Sequence, residues 1–173
     1  RNKIRHSRHG QNRSKNSKYC KIFGNDNTYH NRSKLSKDKE NGATYHKDLK
    51  SLMSVADVLS VCCPATKETT NMINKKTLEY LPTGAVVTNV ARGDIVDDEA
   101  LIEALNSRKV YAVGLDVYQG EPNLNPGYLK HKSAFILPHL GSASKQTRTA
   151  MGNLAIDNID EFFKTGSCKN KVN

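Results

Sequence analysis

The chain has 173 residues, 36% hydrophobic and 25% charged, with a formal net charge of +10. That length suits one α/β domain with a packed core, and no apolar run reaches the roughly 18 residues of a membrane helix, nor does an apolar stretch follow the basic start as in a secretory signal. The charge is uneven: residues 1–50 hold 14 Lys/Arg against 4 Asp/Glu, whereas residues 51–173 hold 13 against 13, so the globular part is neutral and a whole-protein nucleic-acid function is disfavoured.

Residues 1–28, RNKIRHSRHGQNRSKNSKYCKIFGNDNT, carry no acid before Asp26 and show neither a period of 2 nor one of 3.6. By composition alone this is a disordered basic tail, of the kind that contacts nucleic acid. Thr28–Asn31 reads as a short strand, followed by Arg32-Ser33, and Ser36–Gly42 as a polar connection. Lys47–Ala56 places Leu49, Leu52, Met53 and Ala56 on one helical face. Asp57–Cys63 (DVLSVCC) reads as a buried strand ended by Pro64, with Ala65–Thr70 a loop. Asn74 is placed to cap a short helix through Tyr80, with Leu78 and Leu81 inward. Pro82-Thr83-Gly84 turns into a second buried strand, Ala85–Val90, which leads to Arg92 and Gly93.

Asp97 or Asp98 caps the next helix, Glu99–Asn106. A strand over Val110–Asp116 precedes Glu121-Pro122, and after a wandering loop the apolar run Ala134–Leu137 delivers Pro138-His139. Ser144–Lys164 reads as a long helix whose stripe (Met151, Leu154, Ala155, Asn158, Ile159, Phe162, Phe163) is most simply core packing. Strands alternating with helices predict a parallel sheet covered on both faces, a Rossmann-like doubly wound α/β fold. The four cysteines, Cys20, Cys62, Cys63 and Cys168, lack metal-ligand spacing, so no metal site is expected. They read as free thiols in a reducing cytoplasm.

In such a sheet, ligands sit beyond the carboxyl ends of the strands. Three strand ends here present Arg92, Glu121 and His139. A guanidinium grips a carboxylate through two parallel hydrogen bonds, and an imidazole near a carboxylate is a sound proton donor at neutral pH. That set suits a 2-keto or 2-hydroxy acid. The plainer reading is a solvated loop carrying a few polar residues.

Three ordered motifs, TNVARGDIVDDEALIEAL, GLDVYQGEP and LPHLGSAS, resemble those of the D-isomer-specific 2-hydroxyacid dehydrogenases, and the resemblance covers roughly Tyr29 to Asn173. The tail TRTAMGNLAIDNIDEFF is similar to the glyoxylate/hydroxypyruvate reductase branch. The resemblance implies reversible hydride transfer between NAD(P)H and C2 of a small 2-keto acid. It implies that Arg92 binds the substrate carboxylate and carbonyl, that His139 is the acid during reduction, and that Glu121 pairs with His139. It puts Cys63, Pro64, Thr69, Val90, Ala91, Arg92, Asp116, His139 and Gly141 at the cofactor. Members of the family that use NAD place an acid after the second strand. Arg32 and Ser33 stand there instead, which suits the 2′-phosphate of NADP. His30, His46 and His131 match no motif and read as surface or turn residues. A homodimer is implied for the whole protein.

The resemblance also implies a Gly-rich turn that residues 1–28 do not spell. Read one nucleotide later, the codons from Arg5 onward permit Gly-Ile-Val-Gly-Met-Gly-Arg-Ile-Gly-Gln-Lys-Ile-Ala, a strand running into GxGxxG and a helix. The expectation is that residues 1–28 are an out-of-frame, disordered segment and that the sheet loses a central strand. Residues 29–143 would then be a partial dinucleotide-binding domain. Residues 144–173 would be a helix and tail belonging with an absent substrate domain, with KNKVN resembling the family's usual end. Two other function classes stand beside the enzyme. One is a dinucleotide-binding sensor, against which intact Arg92, Glu121 and His139 argue. The other is a nucleic-acid contact through the basic tail.

Overall fold

A computed structural model describes residues 24–172, together with the backbone of Lys3–Ser7. In chain order the elements are β1 (Lys3–Ser7), β2 (Asp26–His30), α1 (Lys37–Glu40), β3 (Thr44–His46), α2 (Leu49–Met53), β4 (Val58–Val61), α3 (Lys75–Leu78), β5 (Ala85–Asn89), α4 (Asp98–Asn106), β6 (Val110–Leu115), β7 (Ala134–Ile136) and α5 (Lys145–Thr165). Short 3-10 turns lie at Gly93–Ile95 and Pro126–Lys130. Residues up to Pro138 form one compact unit and those from His139 a second.

The described strands of the first unit make a seven-stranded sheet in the order β3-β2-β1-β4-β5-β6-β7, parallel at every pairing. This is the Rossmann-like α/β fold, and the strand order reverses between β1 and β4, where such sheets open a crevice. The expected loss of a central strand is corrected. Lys3–Ser7 fills that place, pairing with Asp26–His30 on one side and with β4 on the other. Ladder hydrogen bonds are made by main-chain groups, so a polar five-residue segment can take a central position that its side chains do not advertise. Expectations for residues 8–23 lie outside the described residues.

Local chemistry explains most of the boundaries. β4 is VLSV with its last three residues buried, and β5 alternates, burying Ala85, Val87 and Asn89. The Asp48 carboxylate accepts the Ser51 N–H at 2.8 Å to start α2. Asn74 and Thr77 close a reciprocal capping box on α3. Asp97, not Asp98, caps α4 by accepting the Ala100 N–H at 3.1 Å. Leu52, Met53, Leu59, Val61, Ile73, Leu78, Val87, Ile95 and Leu101 fill the core between sheet and helices. Each such side chain contributes on the order of 1.5–3 kcal/mol by leaving water.

Three further expectations change. The connection Ser36–Gly42 contains a helical turn, α1, and Thr44–His46 is a strand too short for a pattern to reveal. His30 and His46 therefore sit in adjacent strands, His30 Nδ1 lying 3.0 Å from the His46 carbonyl oxygen. The α5 stripe is not core packing: no residue of this 21-residue helix is buried, and Met151, Leu154, Ile159, Phe162 and Phe163 are 50–82% exposed. Periodicity announces an apolar face but not what covers it.

Candidate active site

The site is built where β4, β5 and β6 end. After β4 the chain runs through Cys62, half-buried, and Cys63, buried, to Pro64. The following loop is held from inside by Thr69, which is fully buried. Its hydroxyl donates to the Pro64 carbonyl at 2.9 Å and accepts the Thr66 N–H at 2.7 Å. Thr69 is thus a brace for the loop, and its hydroxyl is not presented to a ligand.

After β5, Asn89 shapes the turn. Its side chain is buried, accepting the Ala91 N–H at 3.0 Å and donating to the Arg92 carbonyl at 2.9 Å. The turn leaves Val90 exposed, tucks Ala91 in, and sends the Arg92 side chain to the surface, where Nη1 also donates to the Ala91 carbonyl at 2.6 Å. Cys62, Cys63, Pro64, Ala65, Val90, Ala91 and Arg92 line one open cleft of about 400 Å³. Five residues singled out in the sequence meet there: Cys63, Pro64, Val90, Ala91 and Arg92.

Gly93 carries the turn against the next strand end. A Cβ built on it would lie 1.9 Å from the Tyr118 carbonyl oxygen, so only glycine lets the two backbones touch. Asp116, half-buried, is tied to β5 by its N–H, which donates to the Asn89 carbonyl at 3.0 Å. Glu121 is exposed, and its Oε1 accepts the Tyr118 N–H at 3.1 Å. The Arg92 turn and the Glu121 loop are therefore neighbours, although Glu121 and Asp116 do not line the cleft.

Beneath this loop lies a buried polar cluster that motif reading passed over. Tyr128 Oη donates to Asp98 Oδ1 at 2.9 Å, and the Gln119 N–H donates to Asp98 Oδ2 at 3.3 Å. Gln119 Oε1 accepts the Asp98 N–H at 3.2 Å, and Gln119 Nε2 donates to Asn71 Oδ1 at 3.1 Å. Burial pushes the Asp98 carboxyl above the ordinary carboxylate range, against the lowering effect of these hydrogen bonds; Asp97 and Glu99 raise it further. Burial, with Asp98 beside it, also pushes the Tyr128 phenol up. A run of three consecutive acids, VDDEA, gives no sign of which one faces inward.

Arg32 and Ser33 are exposed just beyond β2. The segment after them is anchored where the Tyr29 hydroxyl donates to Glu40 Oε1 at 2.8 Å and accepts the Leu35 N–H at 3.0 Å. His139 and Gly141 belong to the second unit, which His139 opens. His139 has a left-handed backbone, with φ of 56°. That conformation is uncommon outside glycine, although histidine visits it more readily than branched residues do.

Residues 10–141 match the family model of the D-isomer specific 2-hydroxyacid dehydrogenase NAD binding domain. The chain belongs to this family. Among the family's curated members, the glycerate dehydrogenase of Hyphomicrobium methylovorum is 43% identical over 132 residues, covering 76% of this chain and 41% of that protein. Glyoxylate reductase 1 of Saccharomyces cerevisiae is 35% identical over 147 residues, covering 84% and 42%. Among the family's solved structures, the NADPH-dependent glyoxylate/hydroxypyruvate reductase of Sinorhizobium meliloti in complex with NADP and malonate superposes with a TM-score of 0.90 at 33% identity. The superposition covers 98% of this chain and 52% of that one. The chain thus spans about half the length of the family members it matches.

Proposed function

We propose that the protein to which this chain belongs reduces a small 2-keto acid, of the glyoxylate or hydroxypyruvate type, to the D-2-hydroxy acid, using NADPH in preference to NADH. The observation that carries this reading is the cleft at the ends of β4 and β5, with Arg92 at its edge and the Glu121 loop seated on Gly93. The residues fit a dinucleotide at both described ends. Cys63, Pro64, Val90 and Ala91 make a half-apolar wall for a ring, and exposed Arg32 and Ser33 beyond β2 suit a 2′-phosphate. The turn after β1 lies outside the described residues.

When bound, the nicotinamide supplies the hydride. The chain's own residues do the rest. Arg92 offers its planar fork to the substrate carboxylate and polarises the carbonyl, His139 gives the proton to the carbonyl oxygen, and Glu121 pairs with His139. Asp116 serves the nicotinamide end, and Gly141 follows His139 at the same site. A cytoplasmic homodimer is part of the same proposal. The test is oxidation of NADPH and NADH by the full-length protein with glyoxylate and with hydroxypyruvate. Faster oxidation of NADPH with either acid is expected; no oxidation of either dinucleotide by either acid overturns the reading.

A further inference from the structure

Glu121 is exposed and lies on a loop with no secondary structure of its own, yet the acid of a proton-transfer pair must be held still. One bond to its carboxylate comes from the N–H of Tyr118, three residues away. What fixes Tyr118 and Gln119 lies below them. Asp98, 4% exposed, is the first residue of α4, and its carboxylate takes one hydrogen bond from the Gln119 main chain and one from Tyr128, 1% exposed, at the far end of the loop. Gln119 answers by accepting the Asp98 N–H, so loop and helix exchange two bonds at one point. Asn71 accepts one bond from the Gln119 side-chain amide, and the Asn125 side chain donates to Glu99 Oε1 at 2.8 Å, pinning the loop one residue further along α4.

The other anchor is a close approach of main chain to main chain. Gly93 presses on the carbonyl of Tyr118 and, with a hypothetical Cβ 2.7 Å from it, on the Gln119 nitrogen. Gly93 follows Arg92 directly, and Asp98 stands five residues after it in the same segment. One stretch of chain, Arg92 to Asp98, therefore holds the Glu121 loop at Tyr118-Gln119 through both Gly93 and Asp98.

We propose that Asp98, Gln119 and Tyr128 form a clamp that sets the Glu121 carboxylate relative to Arg92, acting as positioning residues for the reduction. The clamp's effect on turnover rests on the role given to Glu121 above; its effect on the loop does not. A buried acid that spends both oxygens on one loop costs more to desolvate than a neutral residue would, and such polar clusters specify one arrangement when every group is paired.

The test uses the full-length protein and the mild variant Tyr128→Phe, which keeps the ring, alongside Gln119→Ala. Amide hydrogen exchange is read on peptides spanning 117–123 and, as reference, 100–106. Loss of one hydrogen bond to a buried carboxylate should speed exchange in the loop by about tenfold or more. The reference helix should be unchanged, kcat should fall, and KM for the dinucleotide should hold. The alkaline limb of the kcat profile for reduction should also move, which a purely structural role would not cause. Unchanged exchange in the loop, or equal acceleration in both peptides, overturns the clamp. Faster loop exchange with unaltered kcat overturns its catalytic part. Glu121→Gln is the control: if it turns over like wild type, the assignment of Glu121 has failed, and the exchange result alone decides the clamp.

Discussion

The roles proposed for His139 and Arg32, and the burial of Asp98, rest on different chemistry, and each yields its own measurement. If His139 gives the proton, His139→Ala in the full-length enzyme lowers kcat by about 10²–10⁴-fold while dinucleotide affinity holds. Steady-state kinetics beside fluorescence titration with NADPH separates the two. If Arg32 holds the 2′-phosphate, Arg32→Asp removes that partner and adds a ribose acceptor, so the ratio of kcat/KM for NADPH over NADH falls. Parallel loss with both cofactors would show that Arg32 does not read the 2′ position.

Asp98 makes a prediction about pH. Its folded pKa is raised from the ordinary 3.8, chiefly by burial, so the native state holds this proton more tightly than the unfolded chain does. The contribution to stability is fully present below that ordinary value and is lost as pH rises through the folded pKa. Urea unfolding across the acid range should show wild type losing stability relative to Asp98→Asn as pH increases. A difference that is flat with pH, or of opposite slope, refutes this.

Among the elements, the turn between β5 and α4 decides most. Its glycine touches main chain, and main chain cannot move aside as a flexible side chain can. Gly93→Ala should therefore destabilise by about 1–3 kcal/mol or more, seen as a lower Tm. Gly127 makes a useful comparison. A Cβ there would meet the Ile102 Cδ1 at 2.8 Å, the mobile end of a side chain, so Gly127→Ala should cost less than Gly93→Ala. Equal melting temperatures for the two variants would deny the close approach at Tyr118 its special weight. The long helix α5 teaches the reverse lesson: an apolar stripe of the right period, capped by Ser144 and ended by Gly166 at φ of 76°, stands without burying a residue.

At the level of the whole molecule, the excess positive charge belongs to residues 1–50, and the chain beyond is neutral. The strand Lys3–Ser7 precedes the place where the shifted reading frame would put its GxGxxG turn, and the family match begins at Gly10. We still propose that residues 1–28 are out of frame. Codons in the coding DNA that cannot spell those glycines one nucleotide later would end that proposal. The isolated 173-residue chain should show no keto-acid-dependent NADPH oxidation, although Arg92, Glu121 and His139 are present. It spans about half the length of the family members it matches, and an open cleft cannot exclude water around the hydride. Turnover by the isolated chain would overturn this.

Much of the fold and the family could be read directly from the residues. β-branched runs such as AVVTN, apolar residues at helical spacing, and caps at Asp48, Asn74 and Ser144 are local signals, because strand and helix periods and capping hydrogen bonds reach only a few residues. The motifs around Arg92, Glu121 and His139 were legible for the same reason: each is contiguous in sequence. Only the tertiary structure decided that Lys3–Ser7 takes a central strand, since ladder pairing is indifferent to side-chain pattern. It likewise decided that Thr69 faces inward, and that Asp97 caps while its neighbour Asp98 is buried. The bonds joining Asp98 to residues 119 and 128 close over 21 and 30 positions, a separation at which no local pattern carries a signal.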